Sequence, residues 1–129
     1  MKNICIIDND KIYTFGVSKI IKNQLPRNKI ISFENGRNAL DAIHEMLQNN
    51  DPLPDLILLD IKMPELNGWD FLHEFKKIRG KIDKEIQIFV ISSRISKTNR
   101  ERYRLEWEPI VTDFIPKPVK MGTLQALIN

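Results

Sequence analysis

The sequence predicts an α/β domain: a mostly parallel sheet with helices packed on both faces. Three observations carry this. Five short apolar runs, at Asn3–Ile7, Lys29–Phe33, Leu56–Leu59, 86–91 and 111–115, alternate with stretches of helical periodicity. The run Leu56-Ile57-Leu58-Leu59 contains no polar residue, the pattern of a strand buried on both faces. No internal repeat, low-complexity tract or linker divides the chain, so the β-α alternation belongs to a single domain over residues 1–129. Right-handed crossovers then leave few topologies.

The first strand, Asn3–Ile7, runs into Asp8-Asn9-Asp10, and Asp10 is placed to cap a helix that starts near Lys11. Val17, Ile20 and Ile21 lie on one face of that helix, with Ile12 and Phe15 adjoining, and Leu25-Pro26 stops it. After the second strand, Asn35-Gly36 turns into an amphipathic helix carrying Ala39, Leu40, Ile43, Met46 and Leu47. The loop Asn49-Asn50-Asp51-Pro52 leads to the third strand. Asp60 sits at the end of that strand, Pro64 stiffens the exit turn, and Asn67 is the expected cap of a helix ending before Gly80. Leu72, Phe75 and Ile78, flanked by Trp69 and Phe71, are its apolar positions. The fourth strand runs into Ser92-Ser93, and a charged helical segment covers 98–107. The fifth strand precedes Pro116-Lys117-Pro118, and a last helix uses Val119, Leu124, Leu127 and Ile128.

With 129 residues, the chain is long enough for one well-packed core, and 42% hydrophobic against 29% charged residues excludes a disordered segment. The single cysteine, Cys5, excludes an internal disulfide framework and reads as a packed thiol in a reducing compartment. No apolar stretch reaches membrane-spanning length and the N-terminus has no secretory h-region, so a cytoplasmic protein without membrane partner is expected. A net charge of +3 is too small to imply nucleic acid.

In a parallel sheet all strand C-termini open on one edge, where such sheets bind ligands. Four of the five strands deliver chemistry there: Asp8-Asn9, Asp60, Ser92-Ser93 and, just beyond the fifth, Lys117. Each residue alone is an ordinary strand end; their joint placement is not. Carboxylate and amide oxygens suit Mg²⁺, which takes few protein ligands plus water and phosphate oxygens. Lys117 supplies a point charge for a phosphoryl oxygen, Ser92 a hydrogen bond to another, and Asp60 a nucleophile able to form an aspartyl-phosphate.

With Ile7-Asp8-Asn9-Asp10, Leu59-Asp60 followed by Met63-Pro64 and Gly68, Ser92, and Lys117-Pro118, the chain resembles a response-regulator receiver domain of two-component signalling. The likeness covers essentially the whole chain. It implies a flavodoxin-like three-layer sandwich with five helices and strand order 2-1-3-4-5. It implies that Asp60 accepts the phosphoryl group from a histidine kinase or histidine phosphotransfer protein. By the same resemblance Asp8, Asn9, Asp60 and the backbone carbonyl of Lys62 arrange Mg²⁺, while Ser92 and Lys117 hold the phosphoryl oxygens. Phe114 matches the aromatic whose inward swing reports the active state, so Ser92 and Phe114 are the expected switch. Such a domain is a signalling module rather than an enzyme, read out by a noncovalent partner or by self-association. Asn9 departs from the family, which carries a second acid there, and weaker metal affinity is expected. Lys62, two residues after Asp60, is read as solvated.

Other readings attach to the same residues. Asp8-Asn9-Asp10 also fits the Asp-x-Asp opening of haloacid-dehalogenase-type phosphatases, with Asp8 as nucleophile, but this leaves Asp60 and Met63-Pro64 unused. A docking module that never needs phosphate would leave Asp60, Ser92 and Lys117 unused. His44 and His73 read as surface or boundary residues, and Trp69 and Trp107 as packing. Five basic and three acidic side chains between positions 94 and 108 read as a solvated face.

Overall fold

The computed structural model describes residues 2–129. The elements are β1 (Asn3–Ile7), α1 (Lys11–Gln24), β2 (Lys29–Phe33), α2 (Gly36–Asn49), β3 (Leu56–Leu59), α3 (Gly68–Ile78), β4 (Gln87–Ser92), α4 (Lys97–Trp107), β5 (Asp113–Pro116) and α5 (Met121–Ile128). All strand pairings are parallel and the order is β2-β1-β3-β4-β5, a flavodoxin-like sandwich.

Handedness assigns the layers. The step from β1 to β2 moves one way along the sheet, and every later crossover moves the other way. Right-handed crossovers therefore put α1 on one face and α2, α3 and α4 on the opposite one. The two cores follow this division and the two-residue period of the strands. Ile4, Ile6, Leu56, Leu58, Phe89 and Ile91 pack with Val17 and Ile21 of α1 and Leu124 and Ile128 of α5. Cys5, Ile7, Ile57, Leu59, Ile88 and Val90 face Ala39, Leu40 and Ile43 of α2, Phe71, Leu72 and Phe75 of α3, and Trp107 of α4. Burial on both sides pushes the Cys5 thiol up to about 12, so it stays protonated. The crossovers leave β1 and β3 in opposite directions along the sheet, and the crevice belongs at that switch point, beyond their C-terminal ends.

Helix starts follow local chemistry. The Asp10 carboxylate accepts from the Ile12 and Tyr13 N–H groups, Asn35 from Asn38, and Asn67 from Asp70. Ser96 and Asn99 form a reciprocal capping box at α4, which no other feature of that charged segment announces. Five boundaries or faces differ from the sequence expectation. Strand β4 begins one residue later and ends on Ser92 itself, which joins the ladder opposite Pro116. Strand β5 starts at Asp113, because the Val111 N–H turns back to the Trp107 carbonyl. Val119 lies before α5, which begins at Met121. Helix α4 begins at Lys97, one residue before the expected segment, whereas α3 ends at Ile78, before Gly80 as expected, and a 3₁₀ turn over Arg79–Lys81 follows it. Ile12 and Phe15 stand 86% and 69% exposed, because the α1 residue that packs inward with Val17, Ile20 and Ile21 is Tyr13. Among the described residues, no helix is long and apolar enough to cross a membrane.

Candidate functional site

The β1–β3 ladder pairs Ile7 with Leu59, so Asp8 and Asp60 leave neighbouring strands side by side. Backbone bonds extend past both ends: the Asp60 N–H donates to the Ile7 carbonyl at 2.9 Å, and the Asp8 N–H donates to the Phe33 carbonyl at 3.0 Å. On the far side of the crevice, the Lys117 N–H donates to the Ser92 carbonyl at 3.1 Å and fixes the root of the lysine. Its side chain reaches back across the edge. The Lys117 Nζ lies 2.8 Å from Asp8 Oδ2 and 3.6 Å from Asp60 Oδ2. Asp8, Asp60 and Ser92 are the buried polar side chains among the described residues, so the polar interior of the protein is this notch.

Burial raises the Asp60 carboxyl above the usual carboxylate range, and the neighbouring Asp8 charge raises it further. The Lys117 charge, the Ile61 N–H, which donates to Asp60 Oδ1 at 2.9 Å, and the Ser92 hydroxyl pull it down without cancelling the rise. Asp8 Oδ1 accepts from the Asp10 N–H at 2.9 Å, which leaves Oδ2 for Lys117. Asp10 is withdrawn from the notch by its capping role. Asn9 is exposed at the rim, and Lys62 is exposed in the loop leaving Asp60.

The donors at this notch are oxygens, and two of them are buried carboxylates that converge on one ammonium. Their mutual repulsion is what a hard divalent cation relieves. Among the described residues no group of three or more Asp, Glu, His or Cys side chains is placed to hold a metal ion. The charged oxygens gathered here are therefore those of Asp8 and Asp60, with the neutral amide of Asn9 exposed at the rim. This set fits Mg²⁺, which keeps several waters and needs few protein ligands.

The loop from β3 to α3 lies tight against Asp60. The Gly68 N–H donates to the Ile61 carbonyl at 2.8 Å, and a Cβ on Gly68 would stand 2.5 Å from the Asp60 carbonyl oxygen. Glycine is required there by close backbone approach. Glu65 and Leu66 take left-handed conformations (φ 41° and 64°), and the Leu66 carbonyl accepts from the Gly36 N–H, which ties this loop to the start of α2.

The structure thus gathers Asp8, Asp60, Ser92 and Lys117 and puts Asn9 and Lys62 at their margin. Phe114, on β5, is fully buried and points inward. It packs against Tyr103 and Trp69, with ring centroids 5.6 and 6.2 Å apart. His73 and His44 are exposed, and His73 sets its ring edge on Trp107. One site neighbour has no place in the motif reading. The Tyr13 ring lies under the Lys117 ammonium, 4.1 Å from Nζ to centroid. Its signal was the helical period: Tyr13, Val17, Ile20 and Ile21 follow the i, i+4, i+7, i+8 spacing, whereas Ile12 and Phe15 do not.

The family model of the response regulator receiver domain matches residues 4–129. The chain belongs to that family. It is 36% identical over 92 residues to "Sensor histidine kinase CheAY" of Helicobacter pylori, covering 71% of this chain and 11% of that protein. Among solved structures, a two component response regulator from Cytophaga hutchinsonii superposes with TM-score 0.82 at 26% identity, covering 98% of this chain and 93% of that one. The Mn(2+)-bound form of response regulator Rcp1 superposes with TM-score 0.74 at 22% identity, covering 98% and 89%, and speaks to the fold alone. The chain thus spans about a tenth of that kinase relative. Receiver domains of this kind are phosphoacceptor switches that take phosphoryl groups from histidine kinases.

Proposed function

We propose that Asp60 is the phosphoacceptor and that Asp8, Asn9, Ser92, Lys117 and Phe114 carry out and report its modification. The observation that carries this is the largely covered Lys117 ammonium, lying between Asp8 and Asp60 at the C-terminal edge of the sheet. An Asp60 oxygen attacks the phosphorus of a phosphohistidine; the P–N bond breaks in line, and the imidazole leaves with a proton from solvent. Asp8, Asn9, Asp60 and the Lys62 carbonyl are the ligands for Mg²⁺, in keeping with the Mn²⁺ bound by one relative. When bound, the ion supplies charge neutralisation for the carboxylates and the phosphoryl oxygens. Lys117 pairs with one phosphoryl oxygen and the Ser92 hydroxyl donates to another.

The new group brings roughly two negative charges to the notch. That draws Lys117 away from Asp8 and reshapes the loop after β4, where the Ser92 Oγ now accepts from the Arg94 N–H at 3.2 Å. The partner is a histidine kinase or phosphotransfer protein upstream, and a noncovalent partner or self-association downstream. Neither nucleic acid nor membrane is a direct ligand of the domain, its place is the cytoplasm, and residues 1–129 act as one receiver unit without enzymatic turnover of an external substrate.

The test is exposure to acetyl phosphate with Mg²⁺, followed by mass mapping of the acid-stable, hydroxylamine-labile label. The label falls on Asp60 and is absent from Asp60→Asn. Lys117→Ala still takes label but loses the accompanying conformational change. Persistence of label in Asp60→Asn would transfer the acceptor role to Asp8, as in the phosphatase reading.

A further inference from the structure

We propose that Tyr13 is a positioning residue for phosphoryl transfer, its ring forming the third wall of the cradle that holds the Lys117 ammonium. This inference rests on the reading of Asp60 as acceptor. The ammonium has three neighbours: Asp8 at 2.8 Å, Asp60 at 3.6 Å and the Tyr13 ring face at 4.1 Å. Two are carboxylates whose charge states and partners change when a metal and a phosphoryl group arrive. Only the ring is unaffected by either event. Lysine carries a long, freely rotating stem, and the place of its charge is set by what surrounds it. A desolvated ammonium over an aromatic face is attracted by the ring's quadrupole, and this lysine is mostly buried, with 17% of its side chain exposed.

The Tyr13 hydroxyl takes no part in this contact. It is buried and has no hydrogen-bond partner. Burial, reinforced by Asp8, Asp60 and Asp10, pushes the phenol up to about 12, so it stays neutral and the ring keeps its ordinary face charge. A neutral aromatic ring aimed into an acidic notch is useful as a surface for a cation. Helix α1 holds it rigidly, since the Asp10 carboxylate caps the Tyr13 N–H at 3.0 Å and Val17 and Ile21, later on the same face, are buried in the core. In this position the ring would keep the ammonium within reach of Asp60 when Asp8 is engaged by a metal ion. A charge placed in advance stabilises the transition state without reorganisation.

The experiment compares Tyr13→Phe, Tyr13→Leu, Lys117→Ala and the double variant Tyr13→Leu/Lys117→Ala, with acetyl phosphate and Mg²⁺ as donor. Thermal melting confirms that each variant folds. Tyr13→Leu is expected to take label about tenfold more slowly than wild type, the size a desolvated cation–π contact supports. Tyr13→Phe keeps the ring and stays within about twofold of wild type. In the Lys117→Ala background, Tyr13→Leu adds no further loss, because the ring then has nothing to hold. The Lys117 ε-methylene protons show a ring-current upfield shift in wild type and Tyr13→Phe, and lose it in Tyr13→Leu. Equal rates for wild type and Tyr13→Leu, or additive losses in the double variant, would overturn the proposal. So would a Tyr13→Phe variant as slow as Tyr13→Leu, since the hydroxyl would then be the active part. A wild-type protein that takes no label on Asp60 would instead remove the acceptor assignment, and this inference with it.

Discussion

Lys117, Asn9 and Gly68 each show how one atom decides what the notch can do. Lys117 is the only cation within ion-pair distance of Asp8 and Asp60 among the described residues, and it lies closer to Asp8 than to Asp60, the proposed acceptor. The ammonium therefore has somewhere to move from, which a switch requires. In the proposed Mg²⁺ site, Asn9 brings one negative charge fewer than an aspartate would. Restoring it in Asn9→Asp is expected to tighten Mg²⁺ binding about tenfold, on the order of 1.4 kcal/mol, measured by titration followed through tryptophan emission. Unchanged affinity would mean that Asn9 is no ligand. Gly68 has no room for a methyl group, because the Asp60 carbonyl and the Ile61 Cα occupy that space. Gly68→Ala is expected to cost about 1–3 kcal/mol in urea unfolding and to slow labelling of Asp60, since the backbone that must yield is the one carrying the acceptor. These residues were legible in the sequence as strand-end and turn chemistry. Tyr13 was not, because a tyrosine inside a helix carries no turn or strand-end signal, and only its spacing to Val17 and Ile21 marks it as inward.

Helices α3 and α4 meet β5 through aromatic rings rather than aliphatic packing. Trp69 lies 5.1 Å from Tyr103 and 6.0 Å from Trp107, and with Tyr103 it encloses Phe114. Helix α4 is strongly charged, and its place depends on these contacts and on Arg100. The Arg100 Nε donates to the Phe114 carbonyl at 2.9 Å, and its NH2 nitrogen pairs with Asp113 at 2.7 Å. The weak apolar pattern of 98–107 hid this, because a helix held by two large rings and an arginine needs no continuous apolar stripe. The cage favours Phe114 inside, each aromatic pair adding about 0.5–1.5 kcal/mol beyond area burial. If the inward ring belongs to the phosphorylated form, as the family resemblance implies, Tyr103→Leu weakens that form. Its affinity for fluoroberyllate with Mg²⁺ is then expected to fall about 2- to 10-fold. Both tryptophans of the chain lie in the cage, so emission during the titration reads the change directly. Unaltered affinity would separate the cage from the switch.

Across the whole molecule, the alternation of apolar runs and helical patterns was enough for the class, the layers and the sheet edge at which Asp8, Asp60, Ser92 and Lys117 meet. The order of the strands came from the family resemblance, since spacing alone does not say where β2 pairs. What the sequence could not express was the electrostatic balance, because Asp8 and Asp60 are 52 positions apart and meet only through the ladder of Ile7 with Leu59. That balance sets how global stability responds to pH. Asp60 holds its proton more tightly in the folded chain than in the unfolded one. Between the ordinary carboxylate value and the raised one, the native state binds more protons, so stability falls as pH rises through that window. Asp55 shifts the other way, because the Asn3 N–H and Lys84 outweigh the burial that would raise it, and its contribution is lost as pH falls. Comparing wild type with Asp60→Asn cancels Asp55 and isolates the notch. In EDTA at neutral pH, Asp60→Asn is expected to melt several degrees higher, since about 1 kcal/mol shifts the midpoint by 2–8 °C in domains of this size. The gap should narrow as pH falls through the window in which wild-type Asp60 takes up its proton. It should narrow again at neutral pH with Mg²⁺, because a cation between two carboxylates offsets the same repulsion. A neutral-pH melting point for Asp60→Asn at or below wild type in EDTA would mean that Lys117 already neutralises the pair, leaving the metal only its role toward the phosphoryl group.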